Sequence, residues 1–390
     1  FEGPVMKKYL SPTELNSALA LRDLSDPAEG PHAMQLLLDR ITTALERLWN
    51  IGSDTHRASP LVATSDNYDR LGYSAGDVTR DSRYSRHVSP TVMLRSHTSA
   101  GVPALLDSLR GELGHYDRLH ILPGLVYRRD AADRTHVGAP HQVDLWRIKS
   151  RGLLGAGDLQ TMMAAVVEAV LPAAENPDVQ WRATPSTHSY TAAGQQLDVL
   201  ATMPDGTREW LELAECGLVA APVLRGSGLD PRRWAGLALG MGLDRALMLN
   251  KGVGDIRLLR SGIPAVRSQL LDLQPYRAIS VMPGVNRDLS LVITDPADAD
   301  AELLGDAARA ALGRDADVLA ALEVRAVTPT AELPPAAVDR LRIRPGQVNV
   351  LLRLVLQPLD RTLTHTEANG LRDRVYLALH QGQVLELIAG

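Results

Sequence analysis

The sequence predicts an α+β fold: an antiparallel-sheet domain carrying helices, followed by a smaller ferredoxin-like module. Three observations lead there. Short apolar runs at Leu125–Tyr127 and Val143–Trp146 flank a polar centre, the pattern of a strand, a long loop and a returning strand. Leu36, Leu37, Ile41, Leu45 and Leu48 recur at helical spacing. The last third reads as β-α-β-β-α-β, the order of a split βαβ module.

The elements follow in order. Ser11-Pro12-Thr13-Glu14 is a capping box with Pro at the first helical position, and that helix ends near Asp26-Pro27. A second helix runs from about His32 to Trp49, with core packing as the simplest use of its stripe. The hairpin comes next. Its first strand leads into Arg128-Arg129-Asp130, and its second carries Gln142 and Asp144 on one face, because strand side chains alternate. An Arg suits a phosphate and a Gln/Asp pair suits an ammonium group, so the hairpin could hold ATP beside an amino acid. The same residues also suit a solvated hairpin with surface charges. Residues 157–172 read as a helix, and Trp181 to Val199 as strand, loop and strand. The final module reads as strand 277–284 and 289–294, helix 301–313, strand 319–328, strand 347–357, helix 365–380 and strand 383–388.

Composition sets the outer bounds. A chain of 390 residues has room for two or three domains. No apolar run approaches the roughly 20 residues that cross a bilayer, and no signal peptide is legible, so a cytoplasmic protein without membrane partners is expected. Residues 1–5 read as a remnant ahead of Met6. The single cysteine, Cys216, rules out an internal disulfide and a cysteine zinc cluster, and reads as a small packed residue. A formal net charge of −5 argues against a chain coated in nucleic acid but allows a local basic face. Phenylalanine occurs only at Phe1.

Pro123-Gly124, Val126-Tyr127-Arg128, Thr135-His136 and His141-Gln142-Val143-Asp144 together resemble motif 2 of the class II aminoacyl-tRNA synthetases, specifically of phenylalanyl-tRNA synthetase. The resemblance extends along most of the chain. Asp66-Asn67-Tyr68-Asp69-Arg70-Leu71, Met93 to Ser99, Trp210-Leu211-Glu212-Leu213, and Gly236-Leu237-Ala238-Leu239-Gly240-Met241-Gly242-Leu243-Asp244-Arg245 are similar to further family elements, the last to motif 3. Pro283 to Ser290 and Asp360-Arg361-Thr362-Leu363 resemble the ferredoxin-fold anticodon-binding domain of single-chain phenylalanyl-tRNA synthetases.

The resemblance implies a division into 1–30, an N-terminal helical segment, 31–265, a class II catalytic domain, and 275–390, an anticodon-binding-like domain. It implies ATP and Mg2+, with Arg128, Asp130, His136, Glu212 and Arg245 at the nucleotide and Glu212 supporting the metal. It places Ser99, Gln142, Asp144, His188, Tyr190, Ala238 and Leu239 around the amino acid, with His188 and Tyr190 where relatives carry two Phe rings. Arg287 and Arg361 become the first candidates for RNA contact, although an ordinary surface ion pair suits them equally. The catalytic set is Arg128, Arg245 and His136: an amino-acid carboxylate attacks the α-phosphate of ATP, pyrophosphate leaves, and the acyl group passes to a hydroxyl, normally on tRNA.

Departures from the family leave the substrate open. His188, Tyr190, Leu237, Leu239 and Pro140 stand where relatives have phenylalanine, and Glu215 replaces a glycine. Between 275 and 390 there are 12 Arg, no Lys and 15 Asp or Glu, an acidic balance for an RNA-binding module. Three classes therefore stand: a tRNA ligase for phenylalanine or an analogue, as monomer or homodimer; a ligase that activates another amino acid for a different acceptor; and a non-catalytic RNA-binding or regulatory relative. The presence of Arg128, Glu212 and Arg245 argues against the third.

Overall fold

The computed structural model describes residues 9–77, 80, 84–128, 138–202, 206–279, 284–359 and 361–383. They form two compact units: residues 1–128, 139–254 and 267–276 fall in the first, and 129–138, 255–266 and 277–390 in the second.

The first unit is built on a seven-stranded sheet. In chain order its strands are β1 (Ser53–Thr55), β5 (Asp117–Leu125), β6 (His141–Ser150), β7 (Trp181–Pro185), β8 (Thr191–Thr202), β9 (Arg208–Val219) and β10 (Trp234–Gly242). The numbers between belong to a small antiparallel sheet of β2 (Leu61–Ala63), β3 (Arg86–His87) and β4 (Val92–Leu94). The order across the large sheet is β1-β5-β6-β10-β9-β8-β7. All its pairs are antiparallel except β1 with β5, so the expected antiparallel sheet is in fact mixed at one edge.

The helices Ala33–Trp49, Ala156–Val170 and Leu243–Lys251 pack on one another and against β5, β6 and β9. The first buries Met34, Leu37, Leu38, Ile41 and Leu45, while Leu36 and Leu48 of the expected stripe are exposed. Spacings of three and four from Met34 trace the inward face, and Leu36 falls about 100° per residue away from it. His32 caps this helix, its Nδ1 accepting from the Met34 N–H at 3.1 Å. Helix Pro12–Leu19 opens with the Ser11/Glu14 box but is shorter than expected, because a separate 3-10 turn covers Pro27–Glu29. The opposite sheet face is partly covered by helices Val102–Ser108 and Ala221–Gly226, which share a core with Leu122, Trp146, Tyr190, Val219 and Ala238.

The second unit holds β11 (Val285–Ile293), β12 (Leu319–Pro329) and β13 (Val348–Leu356), antiparallel in the order β11-β13-β12. Helices Ala301–Leu312 and His365–Leu379 supply Leu304, Ala308, Leu371, Val375 and Tyr376 to a core with Leu291, Val350, Leu352 and Leu354. Strand Val285–Ile293 covers most of the one expected at 289–294 and begins earlier; of the one expected at 277–284, residues 277–279 carry no strand and 280–283 lie outside the described residues. A helix at Pro335–Leu341 was not expected; Pro335 at its first position starts it, and Leu341 anchors it beside Val292 and Ile343. The predicted strand 383–388 lies outside the described residues except at residue 383. Just before it, the Gln381 N–H donates to the Val292 carbonyl at 2.9 Å on the free side of β11.

Candidate functional site

The site lies on the sheet face that the three long helices leave open. Strand registry aligns Leu122, Asp144, Gly240, Glu215 and Gln196 in one row across five strands. Asp144 is 2% exposed and both its carboxylate oxygens are engaged. Thr98 Oγ1 donates to Oδ2 at 2.6 Å, Ser99 Oγ to Oδ1 at 2.9 Å, and Trp146 Nε1 to Oδ1 at 3.0 Å. Burial nevertheless raises the Asp144 pKa, outweighing the three donors. Thr98 and Ser99 reach it from a 3-10 turn, Thr98–Gly101, next to β4 in the chain. Thr98 and Trp146 were not singled out in the sequence. Trp146 was nonetheless legible, because it sits two residues beyond Asp144 and so shares its face.

Tyr190 packs over this row. Its ring stacks on Trp146 at 5.8 Å and 26°, and its pKa is pushed well up, first by burial and then by the charge of Asp144. Tyr73 lies near it at 6.3 Å and stacks in turn on His97 at 5.5 Å. Burial and the charge of Arg128 drive His97 down to about 4, so its ring is neutral at physiological pH. At the other end of the row, His188 Nε2 meets Glu215 Oε2 at 2.5 Å, and Ser186 Oγ donates to Oε1 at 3.3 Å. The bond to Glu215 raises the His188 pKa.

The cationic side comes from two elements. Arg128 follows β5 and forms a bridge with Ser85. Arg245 stands in the first turn of helix Leu243–Lys251, and its Nη1 donates to the Glu212 carbonyl at 3.0 Å. The Glu212 residue as a whole is exposed, yet its carboxyl is crowded. Desolvation and the charge of Glu215 raise its pKa, while Arg245 and Arg128 pull it down. Between Leu197 and Asp198 the β8–β9 registry steps from Ala214 to Glu212, leaving Leu213 as an extra residue. Strict alternation would place Glu212 and Glu215 on opposite faces; the bulge resets it and lets the two carboxyls act on one another.

Asp244, beside Arg245, ties motif 3 to motif 2. It accepts from the His141 backbone N–H at 2.5 Å and from His141 Nδ1 at 3.0 Å. The Leu24 N–H donates to His141 Nε2 at 2.9 Å, which makes Nε2 the acceptor and Nδ1 the protonated nitrogen.

A match to the family described as "tRNA synthetases class II core domain (F)" spans residues 28–268. This chain belongs to the class II aminoacyl-tRNA synthetases. It is 30% identical over 256 residues to the phenylalanine–tRNA ligase alpha subunit of Stenotrophomonas maltophilia, covering 64% of this chain and 73% of that one. To the phenylalanine–tRNA ligase alpha subunit of Xanthomonas oryzae pv. oryzae it is 29% identical over 229 residues, covering 58% and 64%. The chain thus spans less than two thirds of the second relative's length. A solved pyrrolysyl tRNA synthetase of Desulfitobacterium hafniense aligns with a TM-score of 0.43 at 16% identity, covering 64% of this chain and 78% of that one.

Within this class II core, the candidate residues fall into groups. Ser99, Asp144 and Tyr190 come together, with Gln142 two residues along the same strand face and Ala238 opposite Trp146 in the registry. Leu239 does not join them. It pairs with Leu145 and Cys216, one residue out of phase with Ala238, and so faces the helices, as Leu237 does. His188 is held by Glu215 as part of a polar pair. Asp130 and His136 lie outside the described residues. Cys216 is buried with its thiol pushed up to about 12, which suits packing and not nucleophilic attack.

The two RNA candidates sit in the second unit. Arg361 pairs with Glu367 at 2.9 Å. Arg287 donates to Asn369 Oδ1 at 2.8 Å and approaches His365 Nδ1 at 3.2 Å. Among the described residues no cluster of three or more His, Cys, Asp or Glu could hold a metal ion, and no helix is long and apolar enough to cross a membrane.

Proposed function

We propose that this chain activates an amino acid with ATP, forming an aminoacyl-adenylate and pyrophosphate, and passes the acyl group to a hydroxyl acceptor. The carrying observation is the grouping on one sheet face: Arg128 and Arg245 act on Glu212, next to the buried Ser99–Asp144 end of the same face. In this reading the amino-acid carboxylate oxygen attacks the α-phosphorus, and the bond to the pyrophosphate oxygen breaks. Arg128 and Arg245 offset the charge on the phosphates, and preorganised charge of this kind dominates such transfers. Ser99 and Gln142 face the ammonium group, while Asp144 orients Ser99 and Thr98 and supplies the local negative field. Asp130 and His136 are assigned to the nucleotide.

The residues fit a magnesium ion on the phosphates. Magnesium is commonly held by one or two carboxylates plus substrate phosphates, and Glu212 is a carboxylate on this face with the Glu215 carboxyl close enough to act on it. Glu212 would hold it, and the ion would neutralise phosphate charge.

Residues 31–265 are assigned to this chemistry. Residues 275–390 are assigned to a ferredoxin-like module, a reading supported by the strand order β11-β13-β12 and by the Gln381–Val292 bond beside β11. For the acceptor, tRNA is the family expectation, with a cytoplasmic monomer or homodimer. A different acceptor is favoured by one observation: residues 275–390 carry 12 Arg and no Lys against 15 Asp or Glu, an acidic balance where phosphate contacts dominate nucleic-acid affinity.

ATP–pyrophosphate exchange tests the activation reading. Amino-acid-dependent exchange that falls by about 100-fold or more in Arg128→Ala is expected. Absence of exchange with every amino acid, in protein shown to be folded, would contradict it.

A further inference from the structure

One end of the site remains unused by the activation chemistry. Gly240 forms a notch in the cross-sheet row, with Asp144 on one side and Glu215 on the other. A β-carbon at Gly240 would meet Asp144 Oδ1 and Tyr190 Oη at ordinary contact distance, 3.9 Å each, so the place its missing side chain leaves is bordered by oxygen. The Tyr190 ring is stacked on Trp146, and its hydroxyl, hydrogen-bonded to Ser99, borders the row at Gly240. Across the notch, Glu215 holds His188 and Ser186. Thr191 Oγ1 and Ser189 Oγ, on either side of Tyr190 in the chain, are buried without a hydrogen-bond partner among the described residues. Thr191 lies over Gly217, where a β-carbon would fall 2.6 Å from the Thr191 Cβ.

Tyr190, Glu215, His188 and Thr191 make this end of the face polar where a phenyl-binding slot would be apolar. Buried hydroxyls are normally paired, and a site built from hydrogen-bonding groups rejects a ligand that leaves them unpaired. We infer that the notch receives an amino-acid side chain ending in a hydrogen-bonding group, with Tyr190, His188 and Glu215 as the residues that choose it. The inference rests on the activation reading and names its substrate class. A phenylalanine ring would find its stacking partner, Trp146, taken by Tyr190, and would cover the Glu215–His188 pair without satisfying it.

The test is ATP–pyrophosphate exchange on the full chain with each of the twenty standard amino acids in turn. It is run for the wild type, Tyr190→Phe and Glu215→Gln, two near-isosteric changes on different strands. One polar amino acid is expected to exceed phenylalanine by about 100-fold or more in kcat/KM. Each variant should reduce that ratio by about tenfold, with the KM for ATP unmoved. Preferred exchange with phenylalanine, at a ratio that neither variant changes, would overturn the inference and leave the activation reading standing. Exchange only with amino acids whose side chains carry no hydrogen-bonding group would likewise overturn it and leave the activation reading standing; exchange with none of the twenty would overturn both.

Discussion

The two units are built alike, as antiparallel strands backed by helices, yet they place their polar groups in opposite ways. On the large sheet and the helix Leu243–Lys251 that follows it, His141, Asp144, Asp198 and Asp244 are all 3% exposed or less, and each is hydrogen-bonded. From 277 onward no described polar or charged residue is buried to that degree. The charges there form surface pairs instead: Arg353 with Asp288, Arg361 with Glu367, Arg325 with Glu323 and Arg374 with Asp315. Burying a polar group is costly unless it is bonded, so a chain tolerates many of them only where positioning matters. Exposed pairs contribute little and leave the core to apolar residues. The contrast fits the proposal that the chemistry lies on the large sheet, and the described part of the smaller unit offers no comparably buried polar site.

The contrast is sharpened most strongly by Arg128→Ala. Exchange should fall by about 100- to 1000-fold while the melting temperature stays within a few degrees. A comparable loss of folding would mean that the bridge to Ser85, and not charge at the phosphates, is what Arg128 provides. Gly236→Val tests the sheet itself. A β-carbon there would sit 2.7 Å from Val219 Cγ2, 2.9 Å from Ile148 Cδ1 and 3.0 Å from the Arg147 carbonyl. Denaturant titration should show a loss of about 1–3 kcal/mol.

Glu215→Gln tests the His188 pair through pH. The folded His188 pKa is raised above its ordinary value, near 6.5. Stability from the pair is therefore fully present below about pH 6.5 and is lost as pH rises through the folded pKa. The melting-temperature gap between wild type and Glu215→Gln should be widest near pH 5.5 and close by about pH 9. A gap that widens with pH would mean that the pair is held by something other than the imidazolium. The smallest effect belongs to Arg361→Ala, which should shift stability by less than about 0.5 kcal/mol and leave exchange unchanged. A large effect on exchange would bring the second unit into the chemistry and break the contrast.

Much of this was legible in the chain. The period-2 pattern from His141 to Trp146 located β6 and put Gln142 and Asp144 on one face, and the motif 3 glycines marked β10. What the sequence hid was phase and partnership. Leu239 looked equivalent to Ala238 because both stand in one motif, yet adjacent strand residues face opposite sides. The bulge at Leu213, which changes the phase of Glu212 relative to Glu215, arises from pairing with β8 and has no local signature. Thr98 was passed over beside Ser99 because only tertiary folding brings that turn to Asp144, more than forty residues later in the chain. In the second unit, acidic composition was visible, but the one-to-one pairing of its arginines was not.

Amino-acid activation on the large sheet should proceed without RNA. A single-turnover measurement addresses it directly: the full chain is mixed with ATP, magnesium and amino acids, without RNA, and pyrophosphate release is followed. A burst of about one pyrophosphate per chain is expected, with an aminoacyl-adenylate retained on the protein and no burst from Arg245→Ala. Pyrophosphate release that requires RNA, or an Arg245→Ala burst equal to the wild type, would contradict it.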